Sequence, residues 1–511
     1  MSLRTQILAG TAMLLAFAAA TPAAAQSSDD VSVELLQLLV DEGVIPHDKA
    51  QALLDRAKKA AELRAQREAP RTAATIDVPY VPEAVRNKIR EEVKAEVVET
   101  AKKEGWVAPN SLPDWVSRIS IAGDLRVRYE MQNFSKGNFP FFPDVGAINL
   151  AGGVTDSQGF PLLNSSVDRH RLNYRARLDI GARVSDAVKV GLRLSSGNER
   201  GAVSTNSIMG DFFQKDNIWI DRAYIAVTPV KQFAFTAGRI PNPFDTTDMV
   251  WDRDINPEGA AARLSYNFGD RAELYATGAY FAMQERAIFS DTYMVGGQMG
   301  GHAELGDGLA VKASVSYYDF VGIQSRKNAP DGSRLLDYTA PLFLDKGNSV
   351  FNVRTDGLTT LAGLASDYNL GIANIGASYT SGPLRFQLTG EVVKNFAVDP
   401  AEIARLRGEP GVKPGDLGWQ VRLDAGYPEI QDFGQWNIAA AYKRIETDAV
   451  LDIFTDSDFG LGGTDVKGYL LDGNFGIYKN TSIGVSWFST DAINRPPFSV
   501  DVLQLNLQTR F

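Results

Sequence analysis

From residue 118 onwards, the chain alternates between apolar and polar side chains in segments of about ten to fifteen residues. The first segment sets Ile119, Ile121, Leu125, Val127 and Tyr129 against Asp124, Arg126, Arg128 and Glu130. Because side chains of a β-strand point alternately to opposite faces, each segment predicts a strand between an apolar phase and water. A soluble sheet produces the same alternation, so the pattern alone does not identify the apolar phase.

Sixteen strands are predicted, and the lengths of their connections indicate how they are arranged. The approximate bounds are 118–131, 170–184, 187–198, 217–229, 231–240, 258–268, 271–285, 293–305, 308–320, 366–380, 383–395, 417–427, 433–446, 466–477, 479–490 and 500–511. Short turns such as Ser185-Asp186 and Pro229-Val230 alternate with long polar loops. This alternation is typical of an all-β, antiparallel up-and-down β-barrel that spans a membrane. An even number of strands returns both ends of the barrel to the side of the short turns.

Basic side chains lie on the polar faces of several predicted strands. A charge on the lipid-facing side costs about 2–4 kcal/mol at the membrane midplane, so these side chains must face a wet interior. Sixteen strands enclose a space too wide for side chains to fill, which predicts a water-filled channel. The arginines predicted to line it are Arg126, Arg128, Arg171, Arg175, Arg177, Arg193 and Arg422.

The first 117 residues have a different pattern. Arg4 precedes the apolar run 7–20, and Ala23-Ala24-Ala25 supplies small residues for cleavage, so residues 1–25 are predicted to be a secretory signal peptide. An uncleaved anchor is the alternative. Residues 26–117 are predicted to be a helical periplasmic segment with a proline-containing linker, followed by the barrel at 118–511. The last helix, 83–103, is either part of a coiled coil or a solvated amphipathic helix.

Composition argues against several classes of function. The absence of cysteine excludes disulfides and thiolate chemistry, and the net charge of −10 argues against nucleic acid as a partner. No catalytic motif follows a suitable strand, and the three histidines lack metal-ligand spacing, so neither an enzyme activity nor a cofactor is expected. One acidic cluster lacks the closing glutamate of a calcium loop and is interpreted as an acidic surface loop: Asp452, Asp456 and Asp458.

The third long loop, residues 241–257, combines acidic and large apolar side chains in the sequence PNPFDTTDMVWDRDINP. Phe244, Met249 and Trp251 are unusual in a loop that only faces solvent, so the loop is predicted to fold inward against the barrel wall. Its carboxylates would then oppose the interior arginines across a constriction. These carboxylates are Asp245, Asp248, Asp252, Asp254 and, just beyond the loop, Glu258. The alternative leaves the loop outside and pairs the arginines with one another or with Asp124 and Asp179.

Several stretches resemble the Gram-negative outer-membrane porins, and in particular the bacterial putative porin family. They are 121–129 (IAGDLRVRY), 169–172 (RHRL) with Arg175 and Arg177, Gly238-Arg239, Asn242-Pro243-Phe244 and 251–259 (WDRDINPEG). The resemblance covers roughly Arg118–Phe511 and, more weakly, the N-terminal helices. It implies passive diffusion through a barrel in outer-membrane lipid, an inward third loop and homotrimers. The terminal strand ending at Phe511 resembles the signal that the barrel assembly machinery recognises.

Two classes of function follow. The first is a porin through which small hydrophilic solutes or ions diffuse across the outer membrane. The alternative is a structural barrel that tethers this membrane to the cell wall through the N-terminal helices. A third class, a barrel phospholipase or protease, lacks a catalytic set. The sign of ion selectivity stays open, because the basic interior and the acidic loop favour opposite ions.

Overall fold

The computed structural model describes residues 118–511 apart from 156–158, 198–200, 412 and 414. Sixteen long strands form one closed antiparallel sheet. They are β1 (Ile119–Phe134), β2 (Arg169–Arg183), β3 (Val188–Ser195), β4 (Trp219–Val230), β5 (Phe233–Arg239), β6 (Glu258–Phe268), β7 (Ala272–Gln284), β8 (Thr292–Gly306), β9 (Leu309–Val321), β10 (Asn369–Ser381), β11 (Leu384–Asn395), β12 (Leu417–Gly426), β13 (Trp436–Ile445), β14 (Val466–Tyr478), β15 (Thr481–Ala492) and β16 (Ser499–Arg510). The predicted barrel is confirmed, strand for strand. The predicted signal peptide and N-terminal helices lie outside the described residues.

The barrel closes where the first strand meets the last. β1 pairs with β16 from Asp124 opposite Arg510 to Phe134 opposite Val500. Its other edge pairs with β2 from Ile119 opposite Ala182. Because β1 has a neighbour on each side, the wall has no open edge, as backbone groups surrounded by lipid require.

Side chains of the barrel wall alternate between its outer and inner faces with a period of two. In β1, Ile121 and Leu125 are exposed on the outside, whereas Asp124 and Arg128 are buried inside. One predicted turn is wrong: Pro229-Val230 belongs to β4, and Lys231-Gln232 makes the turn. The register between β4 and β5 shifts between Val227 and Val230. Such a bulge lets a strand continue past a proline that cannot donate to the ladder.

The long loops contain short elements that alternation does not predict. Two helices are present, α1 (Val145–Leu150) and α2 (Pro400–Arg407). α2 has ordinary end signals, since the Asp399 side chain accepts from its first amides and Gly408 ends it at a φ of 71°. Short strands pair Val350–Asn352 with Ala362–Leu364, and Val154–Thr155 with Thr359–Thr360. Among the described residues, no helix has the length and apolarity to cross a membrane.

A hydrophobic core occupies the loop end of the barrel interior. Loop residues such as Trp251, Leu451 and Phe459 pack in one cluster with the wall residues Phe281 and Tyr318. The interior is therefore filled further than the inward third loop alone predicts, because other long loops also turn inward and bring apolar side chains with them. Polar cavities remain towards the turn end of the barrel.

Deleting Phe511 should lower the amount of folded barrel several-fold. Its backbone exchanges two hydrogen bonds of 3.0 Å with Gly123, and its ring lies so close to Gly123 that a Cβ there would collide with it. The deletion therefore weakens the seam at which the barrel closes. Heat-modifiable gel mobility in membrane fractions measures the effect, with Phe511→Tyr as the control that keeps ring and backbone. Wild-type amounts of folded deletion variant would contradict this role.

Candidate pore constriction

The third long loop, L3 (residues 241–257), lies inside the barrel. Phe244 packs against Tyr318 of β9 with ring centroids 4.7 Å apart, and Trp251 stacks on Phe454 at 5.0 Å. Met249 is fully buried. These apolar side chains hold L3 against the wall and against another loop, which accounts for their presence in an acidic segment.

Ion pairs connect L3 to widely separated parts of the wall. Asp245 lies 3.0 Å from Lys312 of β9, and Asp248 lies 2.7 Å from Lys443 of β13. Asp254 lies 3.1 Å from Arg177 of β2. In the closed ring of strands, β13 lies opposite the end of β5 from which L3 departs. L3 therefore reaches across the full width of the lumen.

The seventh long loop, L7 (residues 447–465), meets L3 inside the lumen. The ammonium of Lys443 is 2.7 Å from Asp248 in L3 and 2.7 Å from Asp456 in L7, so it joins the two loops. The amide of Ser457 donates to the Asp252 carboxylate at 3.0 Å. L3 and L7 consequently form one hydrogen-bonded unit.

The interpretation of the L7 carboxylates as an acidic surface loop is wrong. Asp452 is only 1% exposed, and Asp458 pairs with Arg128 of β1 at 3.0 Å. Their positions depend on contacts with distant strands, which residue spacing within the loop does not reveal. No cluster of three or more metal-binding side chains occurs among the described residues.

The second long loop, L2 (residues 199–216), completes this junction. The Thr205 hydroxyl donates to Asp254 at 3.1 Å, and the Ser457 hydroxyl donates to the carbonyl of Val203 at 3.2 Å. Arg126 of β1 donates to the Asn206 side chain at 2.7 Å. Parts of L2, L3 and L7 thus converge beside β1 and β2.

The arginines predicted to line the interior lie on the inner face of the wall, and most of them are paired there. Arg175 and Arg177 contact Asp124 at 2.9 and 2.8 Å, and Arg193 contacts Asp179 at 2.8 Å. Other pairs are Arg128 with Asp458, Arg171 with Glu130, and Arg422 with Asp424. The geometry combines the two arrangements considered from the sequence, since Arg177 contacts both Asp124 and L3.

Glu258 lies apart from the other predicted carboxylates. It is the first residue of β6 and pairs at 2.6 Å with Arg239 of β5, with 62% of its side chain exposed. Glu258 is opposite Arg239 in the sheet register, so strand alternation sets its direction rather than the path of L3. The expectation that Glu258 faces the constriction is corrected.

The pKa values of two buried L3 carboxylates are shifted in opposite directions. Burial alone would raise the pKa of Asp248, but the charges of Lys443 and Arg253 lower it below its ordinary value. Burial and the neighbouring Asp456 raise the pKa of Asp252 well above its ordinary value. Asp248 therefore keeps its negative charge, whereas Asp252 is shifted towards the neutral acid.

Two polar cavities lie beside L3, with volumes of about 350 and 630 Å³. Both are lined by Asp248, Asp252, Arg253 and Arg422. Arg253 lies 3.7 Å from Asp248, but 73% of its side chain is exposed, so the most accessible charge on this acidic loop is positive. Sequence reasoning missed Arg253 and Lys443, because a pattern shows which residues are charged but not which of them are paired.

The family model described as putative porin matches residues 29–511. No curated protein sequence is a significant match. Among solved structures, OmpF of Salmonella typhi in complex with daunomycin is similar at 10% identity, covering 77% of this chain and 97% of that chain with a TM-score of 0.41. The outer membrane channel DcaP of Acinetobacter baumannii is similar at 12% identity, with coverages of 77% and 98% and a TM-score of 0.40. OprB of Pseudomonas putida is similar at 10% identity, with coverages of 78% and 95% and a TM-score of 0.45.

Proposed function

The chain belongs to the putative porin family, and from this premise we propose that its barrel is a diffusion channel for small hydrophilic anions, narrowed by L3. A member of this family is an outer-membrane channel protein rather than an enzyme. In the proposed channel, L3 and L7 together form the constriction. Asp245, Asp248, Asp252 and Asp254 position L3, and the interior arginines shape the potential around it.

The path of L3 is the observation that carries this proposal. Ion pairs to β9, β13 and β2 hold the loop across the lumen rather than along one side of it. Polar cavities remain beside the loop, and both contain Arg253. A solute in either cavity would therefore pass close to L3.

The preference for anions rests on which charges remain accessible. Most L3 carboxylates are paired with lysine or arginine, as described above. Among the cavity-lining residues that the structure describes, the exposed basic ones are Arg253, Arg385 and Arg510, against the single exposed acid Glu429. Excess accessible positive charge raises the local concentration of anions.

Purified protein in planar bilayers should form stable open channels that prefer chloride to potassium under a KCl gradient. The preference should weaken as salt rises, since the Debye length falls from about 10 Å at 0.1 M to about 3 Å at 1 M. Arg253→Gln should move the reversal potential towards zero. Arg334→Gln is the matched control, because this arginine of the loop between β9 and β10 pairs with Asp356 and lines neither polar cavity. A barrel without conductance would support the structural tether, and cation selectivity would overturn the proposed preference.

We further propose that the signal peptide is removed after Ala25 and that residues 26–117 are a helical segment in the periplasm. The even number of strands supports this proposal, because β1 begins on the side of the short turns. The helices promote a homotrimer, with contact to the cell wall as their alternative role, and the barrel assembly machinery recognises the strand that ends at Phe511.

A further inference from the structure

A cavity of about 350 Å³ lies among the loops and has a different character from the polar cavities beside L3. L3, L7 and the fifth long loop, L5 (residues 322–368), cover it, and the loop ends of β7 and β8 form its wall. Apolar side chains dominate its lining, among them Trp251, Phe281, Met283, Met294, Phe343 and Phe454. We refer to it as the apolar chamber.

The apolar chamber adjoins the proposed permeation route. Trp251 and Ile255 line both the chamber and the larger polar cavity, so these two side chains form a shared wall. Arg253, between them in sequence, projects into the polar side. A molecule with an apolar part and an anionic part would therefore find surfaces for both within a few residues of L3.

Two buried polar groups in the chamber wall lack a hydrogen bond of good geometry. They are the indole nitrogen of Trp251 and the carboxyl group of Asp452, on residues that are 5% and 1% exposed. An unpaired buried polar group costs about 1–3 kcal/mol. A ligand atom that bonds to either group would remove that cost, so the chamber suits an apolar group bearing one polar substituent.

The volume of the chamber limits the size of such a ligand. An engineered apolar cavity of about 150 Å³ in another protein holds benzene, so about 350 Å³ is ample for one ring or a short alkyl chain. Met283 and Met294 are flexible and polarizable, so this part of the wall can adapt to different apolar shapes.

Resting on the proposed channel function, we propose that the apolar chamber is a binding subsite for the apolar part of small amphipathic organic acids. The accessible Arg253 attracts such a solute to the lumen side of L3, and its ring or alkyl group then occupies the adjoining chamber. The subsite selects amphipathic acids over equally charged acids that lack an apolar group of this size.

Binding of benzoate and acetate to the full-length protein in detergent tests the subsite without requiring any current. Benzoate should bind saturably in isothermal titration calorimetry, and acetate should not. Phe343→Ser should weaken benzoate binding by about tenfold, because it removes an apolar wall of the chamber. Phe343 is 36% exposed in a loop, so the barrel should fold normally. Leu342→Trp, at another lining residue that is 49% exposed, should also weaken binding by narrowing the chamber.

Leu335→Ser is the matched control, since Leu335 is 74% exposed in the same loop and does not line the chamber. It should bind benzoate like the wild type. Equal affinities for benzoate and acetate, or equal binding by wild type and Phe343→Ser, would overturn the subsite. Benzoate binding that falls as phospholipid is added to the micelles would assign the chamber to a lipid chain and also overturn it. KCl conductance of the same preparations tests the channel separately, so the two proposals fail by different measurements.

Discussion

Replacing Lys443 by methionine should detach L3 and L7 from the wall, producing larger and noisier single-channel currents. Lys443 is only 1% exposed and contacts both Asp248 and Asp456 at 2.7 Å. Methionine leaves buried Asp456 without its cation and Asp248 with only the exposed Arg253, 3.7 Å away, a change that costs about 3–5 kcal/mol. At roughly 1.4 kcal/mol for each tenfold change, this cost shifts the equilibrium more than a hundredfold towards displaced loops. The strands keep their pairing, and heat-modifiable gel mobility should show a folded barrel.

Two further variants distinguish the effect of losing the Lys443 ion pairs from a general loss of stability. Lys312→Met also removes an L3 partner, but the Lys312–Asp245 pair is more than a third exposed on both sides, so its loss should cost only about 0–1 kcal/mol. Combining Lys443→Met with Asp248→Asn and Asp456→Asn should restore quiet currents, because no buried charge is then left unpaired. Wild-type current noise in the single Lys443→Met variant would show that Lys443 does not hold the loops.

Replacing Asp245, Asp248, Asp252 and Asp254 together by asparagine should increase the preference for anions several-fold at 0.1 M salt. The change frees Lys312 from its carboxylate and leaves Arg177 paired with Asp124 alone, while the Asn side chains can still accept hydrogen bonds. Lys443 keeps Asp456, so L3 should remain in place. Reversal potentials under a KCl gradient measure the shift, which should shrink at high salt as screening increases.

The single substitutions should change ion selectivity by different amounts. Asp248→Asn should have the larger effect because Asp248 stays ionised beside Lys443, whereas Asp252→Asn should change selectivity little because Asp252 has a raised pKa. Neutralising Arg126, Arg128 and Arg175 should shift selectivity towards cations. If the fourfold variant retained wild-type selectivity and conductance at low salt, the L3 carboxylates would have no part in the constriction.

The strands of the barrel wall were predictable because side chains alternate with a period of two, and the two faces of the wall meet lipid and water. Every β1 residue has an immediate neighbour in sequence on the opposite face, so a lipid-facing Leu125 implies an inward Arg126. Errors in the wall occur where the backbone departs from that rule, as at the bulge that carries β4 past Pro229. The even strand count and the alternation of turns and loops followed from the same local information.

The interior was less predictable because its contacts join residues far apart in the chain. Phe244 and Trp251 indicated that L3 packs on something, but not that Trp251 stacks on Phe454 of L7. Residue spacing in L7 placed its carboxylates at the surface, although Asp458 reaches Arg128, 330 residues away in sequence. Lys443 is one basic residue among many until the fold brings Asp248 and Asp456 to it.

The seam between β1 and β16 also imposes an order in time. Arg128 of β1 bonds to Asn506 of β16 across 378 positions, and the final hydrogen bonds of the seam belong to Phe511. A nascent chain without β16 lacks one side of the seam, so the cylinder cannot close before this strand has been synthesised and exported. Until then, β1 presents an unpaired edge that would readily template aggregation. Other copies of the chain must consequently be kept away from this edge while the chain crosses the periplasm. A delay in exporting the C-terminal strand would be more harmful than an equal delay in exporting an internal loop.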